Sequence, residues 1–210
     1  MCYAQPPELL ERSLKDKPSQ RYLVQLPSGY KQDIKYPLFI TIHWYTGTAQ
    51  QQINEWKFYA NKDEYILLCP QFSDGYQWFE GREDETLIEI INEAKEDFYI
   101  DPGRVFLVGN SGGGQFVHRF AFKHPEHIKA ACVLSAGDYE APPDLSDAKS
   151  VKYYVAVGED DERLGITRRF YLQLRDKGYS VVYKSFPMVG HVLHSSMKRE
   201  VMDFLRELNG

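Results

Sequence analysis

The run Val105-Phe106-Leu107-Val108-Gly109-Asn110-Ser111-Gly112-Gly113 carries the strongest structural signal in the chain. Four apolar residues in succession have the character of a strand buried on both faces, and residues 112–123 behind them read as a helix. Between the two stands Gly-x-Ser-x-Gly. A serine on so sharp a strand-to-helix turn carries its hydroxyl above the sheet edge. The N–H groups that open the helix are then placed to stabilise an oxyanion. The positions two before and two after the serine must be small, and Gly109 and Gly113 satisfy that. A phosphate-binding loop would need Lys-Ser or Lys-Thr after its glycines, where this chain has Gly114-Gln115, and the G-x-G-x-x-G pattern is also absent. Ser111 is therefore the candidate nucleophile.

Outward from this turn, short apolar runs alternate with amphipathic stretches. Strands are expected at residues 21–26, 38–43, 65–69, 130–135, 153–158 and 180–186, and helices at 50–62, 83–98, 163–177 and 194–208. That alternation is the pattern of βαβ units and predicts an α/β fold: a mostly parallel central sheet with helices on both faces. Pro27-Ser28-Gly29, Asp101-Pro102-Gly103 and Lys177-Gly178 punctuate the runs where turns are needed. The 210 residues suit one domain, taken as residues 21–210 behind an N-terminal extension of residues 1–20.

Composition narrows the function. The net charge of −5 opposes the counterion-release binding by which basic proteins hold nucleic acid, so no nucleic-acid partner is expected. No apolar run approaches the ~18 residues of a membrane span. The acidic run Glu83-Asp84-Glu85 reads as a solvated first helical turn. Cys2, Cys69 and Cys132 are too few and too widely spaced for a disulfide framework or a zinc site, and no metal or organic cofactor is expected. Cys69 and Cys132 fall in apolar runs and read as buried thiols. Residues 1–13 lack the apolar core of a signal peptide, which points to the cytoplasm. The alternative is an exported or lipid-anchored protein whose signal was trimmed before Cys2.

A nucleophilic serine requires a base and an acid, and sites in open parallel sheets assemble at the strands' C-terminal ends. After the run 153–157 comes Gly158-Glu159-Asp160-Asp161, and after 181–186 comes Met188-Val189-Gly190-His191. His191 is the candidate base, with His194 as its rival in the same loop. His118, His124 and His127, on or after the helix behind Ser111, read as surface or capping residues. For the acid, Asp161 ranks before Asp160 and then Asp138. The acids not used are expected to be solvated or paired with Arg163.

These residues carry a resemblance. The chain resembles the α/β-hydrolase superfamily, in particular its small serine esterases of the polyhydroxybutyrate-depolymerase, feruloyl-esterase and phospholipase/carboxylesterase type, from Arg21 onward. The carriers are Tyr22-Leu23-Val24-Gln25-Leu26-Pro27-Ser28-Gly29-Tyr30, Ile42-His43, Cys69-Pro70-Gln71, Ile100-Asp101-Pro102-Gly103-Arg104-Val105 and the spacings Gly158-x-x-Asp161 and Gly190-His191. The resemblance implies an α/β-hydrolase fold without a large cap domain, a Ser111–His191–Asp161 triad, and an oxyanion hole built from the N–H groups of Tyr45 and Gly112. It favours Asp161 over Asp160 and makes His43 structural. The sequence departs from the family pattern at His43-Trp44-Tyr45, where His-Gly-x is usual. Trp44, Tyr45, Tyr76, Trp78, Phe79 and Tyr139 fall on loops around the expected mouth, with Trp44, Tyr76 and Trp78 as candidate substrate-binding residues. With no basic cluster beside these aromatics, neutral short-chain or aromatic esters are the expected substrates. The rival readings are a small serine peptidase of the same fold and an inactive binding module. Oligomeric state is left open.

Overall fold

The computed structural model describes residues 7–73, 75–76 and 82–209. Eight strands form one sheet: β1 (Glu8–Ser13), β2 (Arg21–Leu26), β3 (Tyr36–Ile42), β4 (Ile66–Pro70), β5 (Ile100–Asn110), β6 (Ala130–Leu134), β7 (Lys152–Gly158) and β8 (Val181–Phe186). Their spatial order is β1-β2-β4-β3-β5-β6-β7-β8. β1 with β2 and β2 with β4 pair antiparallel, and every other neighbouring pair is parallel. Among the described residues six α-helices accompany them: α1 (Ala49–Lys62), α2 (Glu83–Asp97), α3 (Gly112–Lys123), α4 (Ser146–Ser150), α5 (Leu164–Asp176) and α6 (Ser195–Glu207).

Side chains alternate across the sheet, so each central strand feeds two cores. Leu38, Ile40 and Ile42 of β3 and Val105 and Leu107 of β5 join Leu87, Ile90 and Ile91 of α2, Phe116 and Phe120 of α3, and Phe170 and Leu174 of α5. Phe39, Phe106 and Val108 turn the other way, onto Ile53 and Trp56 of α1 and Met197, Val201 and Leu205 of α6. Burial on both faces explains why β3 is almost continuously apolar, with Thr41 its one buried hydroxyl besides Tyr36. Cys69 and Cys132 are buried thiols in the second core, and burial pushes the Cys69 thiol up to about 12. Cys2 lies outside the described residues. Among those residues no helix is long and apolar enough to cross a membrane.

The parallel sheet and the strands from residue 21 onward stand as the sequence predicts. β1, within the expected N-terminal extension, is an additional strand. It lies at the sheet edge with mostly exposed side chains, and Glu11 pairs with Arg21 of β2. The acidic start of α2 also differs from expectation, because Glu83 and Asp84 are buried rather than solvated. This turn packs against the end of α3, where Asp84 accepts hydrogen bonds from Lys123 and from His124 Nε2, the latter at 2.9 Å. Burial alone would raise the Asp84 carboxyl, but these partners outweigh it and hold the group below its usual range.

Candidate active site

Ser111 stands between β5 and α3 with φ 54° and ψ −123°, a left-handed backbone that a non-glycine residue rarely adopts. The surrounding chain enforces the turn. A Cβ on Gly109 would lie 2.4 Å from the Gly113 carbonyl, and one on Gly113 would lie 2.3 Å from the Ile42 oxygen. Only glycine fits at either position. The Ser111 N–H is spent on Leu134 O of β6 at 2.9 Å, which ties the turn to the neighbouring strand.

The β7–α5 and β8–α6 loops meet above this turn. A Cβ on Gly158 would stand 2.0 Å from Val189 O, so the end of β7 and the histidine loop run in backbone contact. Asp160 N–H donates to Val189 O at 2.9 Å and fixes the register of the two loops. In that register His191 Nδ1 faces Asp161 Oδ2 at 2.8 Å, and His191 Nε2 faces Ser111 Oγ at 3.0 Å. A carboxylate can only accept, so the imidazole carries its proton on Nδ1 and Nε2 is left to accept from the serine hydroxyl. The Asp161 side chain is fully buried, whereas that of His191 is 37% exposed. Burial would raise the Asp161 carboxyl; the Arg163 N–H on Oδ1 (3.0 Å), His191 and the adjacent Ser135 hydroxyl together hold it below its usual range.

The other candidates fall away from this chain of bonds. Asp160 is exposed, and Asp138 accepts from Gln115 Nε2 at 3.4 Å. Glu159 takes the Ser185 hydroxyl at 2.8 Å. His194 caps α6, its Nδ1 accepting from the Ser196 N–H. His118 differs from its reading as a surface or capping residue. It is fully buried, because the loop after β6 folds across α3: its ring contacts Tyr139, and its Nε2 accepts the Glu140 N–H at 3.0 Å.

His43 shapes the opposite wall. Its Nε2 accepts the Phe72 N–H at 3.1 Å, so its proton resides on Nδ1 and is donated to Trp44 O at 2.8 Å. In a trans peptide the N–H points opposite to the carbonyl. Anchoring the Trp44 oxygen therefore directs the Tyr45 N–H the other way, and the Tyr45 nitrogen sits 3.0 Å from where a Gly112 Cβ would be. Neither the Tyr45 nor the Gly112 N–H has a backbone acceptor among the described residues. The departure at Trp44 is accommodated by Gly47: the indole packs over it, and a Cβ there would meet the ring at 3.0 Å.

Trp44, Tyr45, Thr46, Glu55, Asn110, Ser111, His191, Val192 and Leu193 line a cleft of about 530 Å³. Tyr76 is not among them. Instead of facing substrate it is fully buried, its hydroxyl bonded to His43 O and its ring packed on His43, Phe72 and Phe116. Tyr139 stacks on Phe170 with ring centroids 4.1 Å apart. Both are core residues because an apolar helix face, that of α3 or α5, lies beneath each loop. Trp78 and Phe79 lie outside the described residues.

No family model matches the chain. It is 28% identical over 144 residues to a probable feruloyl esterase C of Aspergillus terreus, covering 65% of this chain and 53% of that protein. It is 25% identical over 137 residues to the poly(3-hydroxyalkanoate) depolymerase C of Paucimonas lemoignei, covering 59% and 33%. The chain thus spans about half the length, or less, of these curated relatives. Among solved structures, the S-formylglutathione hydrolase of Staphylococcus aureus superposes with a TM-score of 0.76 at 15% identity, over the whole of both chains. The chain has the α/β-hydrolase fold. The resemblance to feruloyl esterases and polyhydroxybutyrate depolymerases read from its motifs is borne out by these relatives. Within that fold, the hydrogen-bonded chain from Ser111 to Asp161 lies at the C-terminal edge of β5, β7 and β8.

Proposed function

We propose that this α/β-hydrolase-fold chain is a serine-dependent hydrolase of carboxylic esters, acting through an acyl-enzyme on Ser111. The observation that carries this reading is the continuous Ser111 Oγ–His191–Asp161 hydrogen-bond chain, at 3.0 and 2.8 Å, on a turn that only glycine neighbours permit. The esterase names of its relatives agree with it.

In the first half-reaction Ser111 Oγ attacks the ester carbonyl as its proton passes to His191 Nε2. Buried Asp161 holds the Nδ1–H tautomer and stabilises the imidazolium. The N–H groups of Tyr45 and Gly112 receive the oxyanion, which is worth several kcal/mol when the donors are fixed in advance, about 3 per donor by analogy with other hydrolases. His191 then protonates the departing alcohol. Water, deprotonated by the same nitrogen, releases the acid. The open cleft bounded by Trp44, Val192 and Leu193 suits a short or flat group against its apolar wall, so short-chain or aromatic esters are the proposed substrates.

Labelling with a fluorophosphonate probe, followed by hydrolysis of an acyl-length series, a hydroxycinnamate ester and a peptide anilide, tests the reading. Wild type should label and prefer the short or aromatic esters. Ser111→Ala should lose both labelling and turnover, by about 10³-fold or more. Labelling retained in Ser111→Ala, or a preference for the anilide, would reject it.

A further inference from the structure

Arg163 stands beside the hydrogen-bond chain without belonging to it. Its main-chain N–H serves Asp161, but its side chain runs the other way, over Gly137, where a Cβ would come within 3.3 Å of Arg163 Nε. Its Nη1 then lies 2.7 Å from both ring nitrogens of His191. Those nitrogens already have their partners in Asp161 and Ser111, and a donor equidistant from both is off either lone-pair direction. The contact is a cation set against the ring rather than a hydrogen bond. Of the acids nearby, Asp161 is engaged with His191, Asp138 with Gln115, Glu140 with Arg119 and Glu159 with Ser185, while Asp160 and Glu162 are exposed to solvent. No carboxylate pairs with the Arg163 guanidinium among the described residues. Arg163, Gly137 and Gln115 also lie outside the lining of the Trp44–Leu193 cleft.

We propose that Arg163 is a specificity residue that receives a carboxylate carried by the ester substrate, on the portion that leads from Ser111 away from the cleft. The proposal rests on the esterase reading above and adds a charge to its substrate class. Guanidinium and carboxylate match as a two-pronged pair, and such charge-assisted bonds are the strong ones. The placement also couples recognition to chemistry. When His191 accepts the Ser111 proton it becomes a cation with another cation against it, an unfavourable pairing at this separation. A substrate carboxylate draws the guanidinium off the ring and neutralises it as the imidazolium forms. The sequence pointed to neutral substrates because no basic cluster adjoins the aromatic loops along the chain. Arg163 reaches the site from a different loop.

Two matched ester pairs test this: 4-nitrophenyl hemiglutarate against 4-nitrophenyl valerate, with the charge on the acyl side, and 4-acetoxybenzoate against 4-acetoxybenzamide, with the charge on the alcohol side. The readout is the anionic-to-neutral ratio of kcat/KM in wild type, Arg163→Gln and Arg163→Lys, in which intrinsic reactivity cancels. In one pair the ratio should fall by about 10- to 100-fold in Arg163→Gln, the size expected of one charge-assisted interaction, and recover partly in Arg163→Lys. The pair that responds tells which side of the ester carries the charge. Ratios unchanged in both pairs, with turnover intact, would overturn the Arg163 assignment and leave the esterase reading standing. Absence of turnover of all four esters by wild type would overturn both.

Discussion

Acid should unfold this protein through His118, a residue with no part in the proposed chemistry. Its imidazole is buried inside the first core, where Nδ1–H donates to Gly114 O at 3.2 Å and Nε2 accepts the Glu140 N–H at 3.0 Å. A proton added at Nε2 would confront an N–H and have no water to spread its charge. Burial chiefly, aided by the neighbouring Arg119 cation and opposed by the Gly114 carbonyl, pushes the group down from 6.5 to about 3. The folded state thus resists protonation while the unfolded chain takes a proton near 6.5. The stability linked to this histidine is complete above about pH 6.5 and is lost as pH falls from there toward about 3. At pH 5 the unfolded histidine is favoured by a factor of about 30, which costs the fold about 2 kcal/mol relative to pH 7.5. Urea unfolding of wild type and His118→Gln at pH 7.5 and pH 5.0 measures it. The other titrating groups are common to both proteins, so their contributions cancel in the difference. Wild type should lose about 2 kcal/mol more than the variant across the interval. Parallel losses in the two proteins would refute the reasoning, as would an NMR titration that protonates His118 in the folded protein above pH 5.

Two further substitutions address the loops that hold the site. Asp161→Asn should lower kcat by about 10²- to 10⁴-fold with little change in KM, whereas the same change at exposed Asp160 should be mild, a contrast read from steady-state kinetics. Gly158→Ala forces a methyl group to within 2.0 Å of Val189 O, so it should displace the His191 loop. The expected result is slower fluorophosphonate labelling together with a Tm lower by several degrees, and a variant that labels at the wild-type rate would contradict it.

Much of this arrangement was legible along the chain because its signals are local. The Val105–Gly113 stretch encodes strand, turn and helix within nine residues, and β3 and the Val105–Val108 part of β5 announce their burial by being almost continuously apolar. The two loops after β7 and β8 were equally plain, each a strand followed by glycine and a candidate group. What escaped depends on which distant segment lies across a residue. β1 has no buried face to impose alternation, so it carried no pattern to read. Glu83 and Asp84 look like any acidic first turn until the end of α3 brings Lys123 and His124 onto Asp84. Tyr76 and Tyr139 have the composition of a binding wall, yet packing turned them inward. Arg163 was read as a partner for neighbouring acids, but Gly137, distant in sequence, opens the path that carries its side chain to His191.

The sheet order sets the proposed nucleophile and its base on unequal footings. Ser111 rises from β5, a central strand paired on both sides, whereas His191 follows β8, the sheet's last strand, whose side chains are only partly covered. Edge elements open at lower cost than central ones. On warming, β8 can peel from β7 and carry the imidazole away while the rest of the sheet persists, so catalytic competence has its own melting point, below that of the fold. Residual activity followed against far-ultraviolet circular dichroism should give two separate curves, with inactivation first. Cooling before the centre melts should restore turnover, because the Ser111 turn never lost its shape.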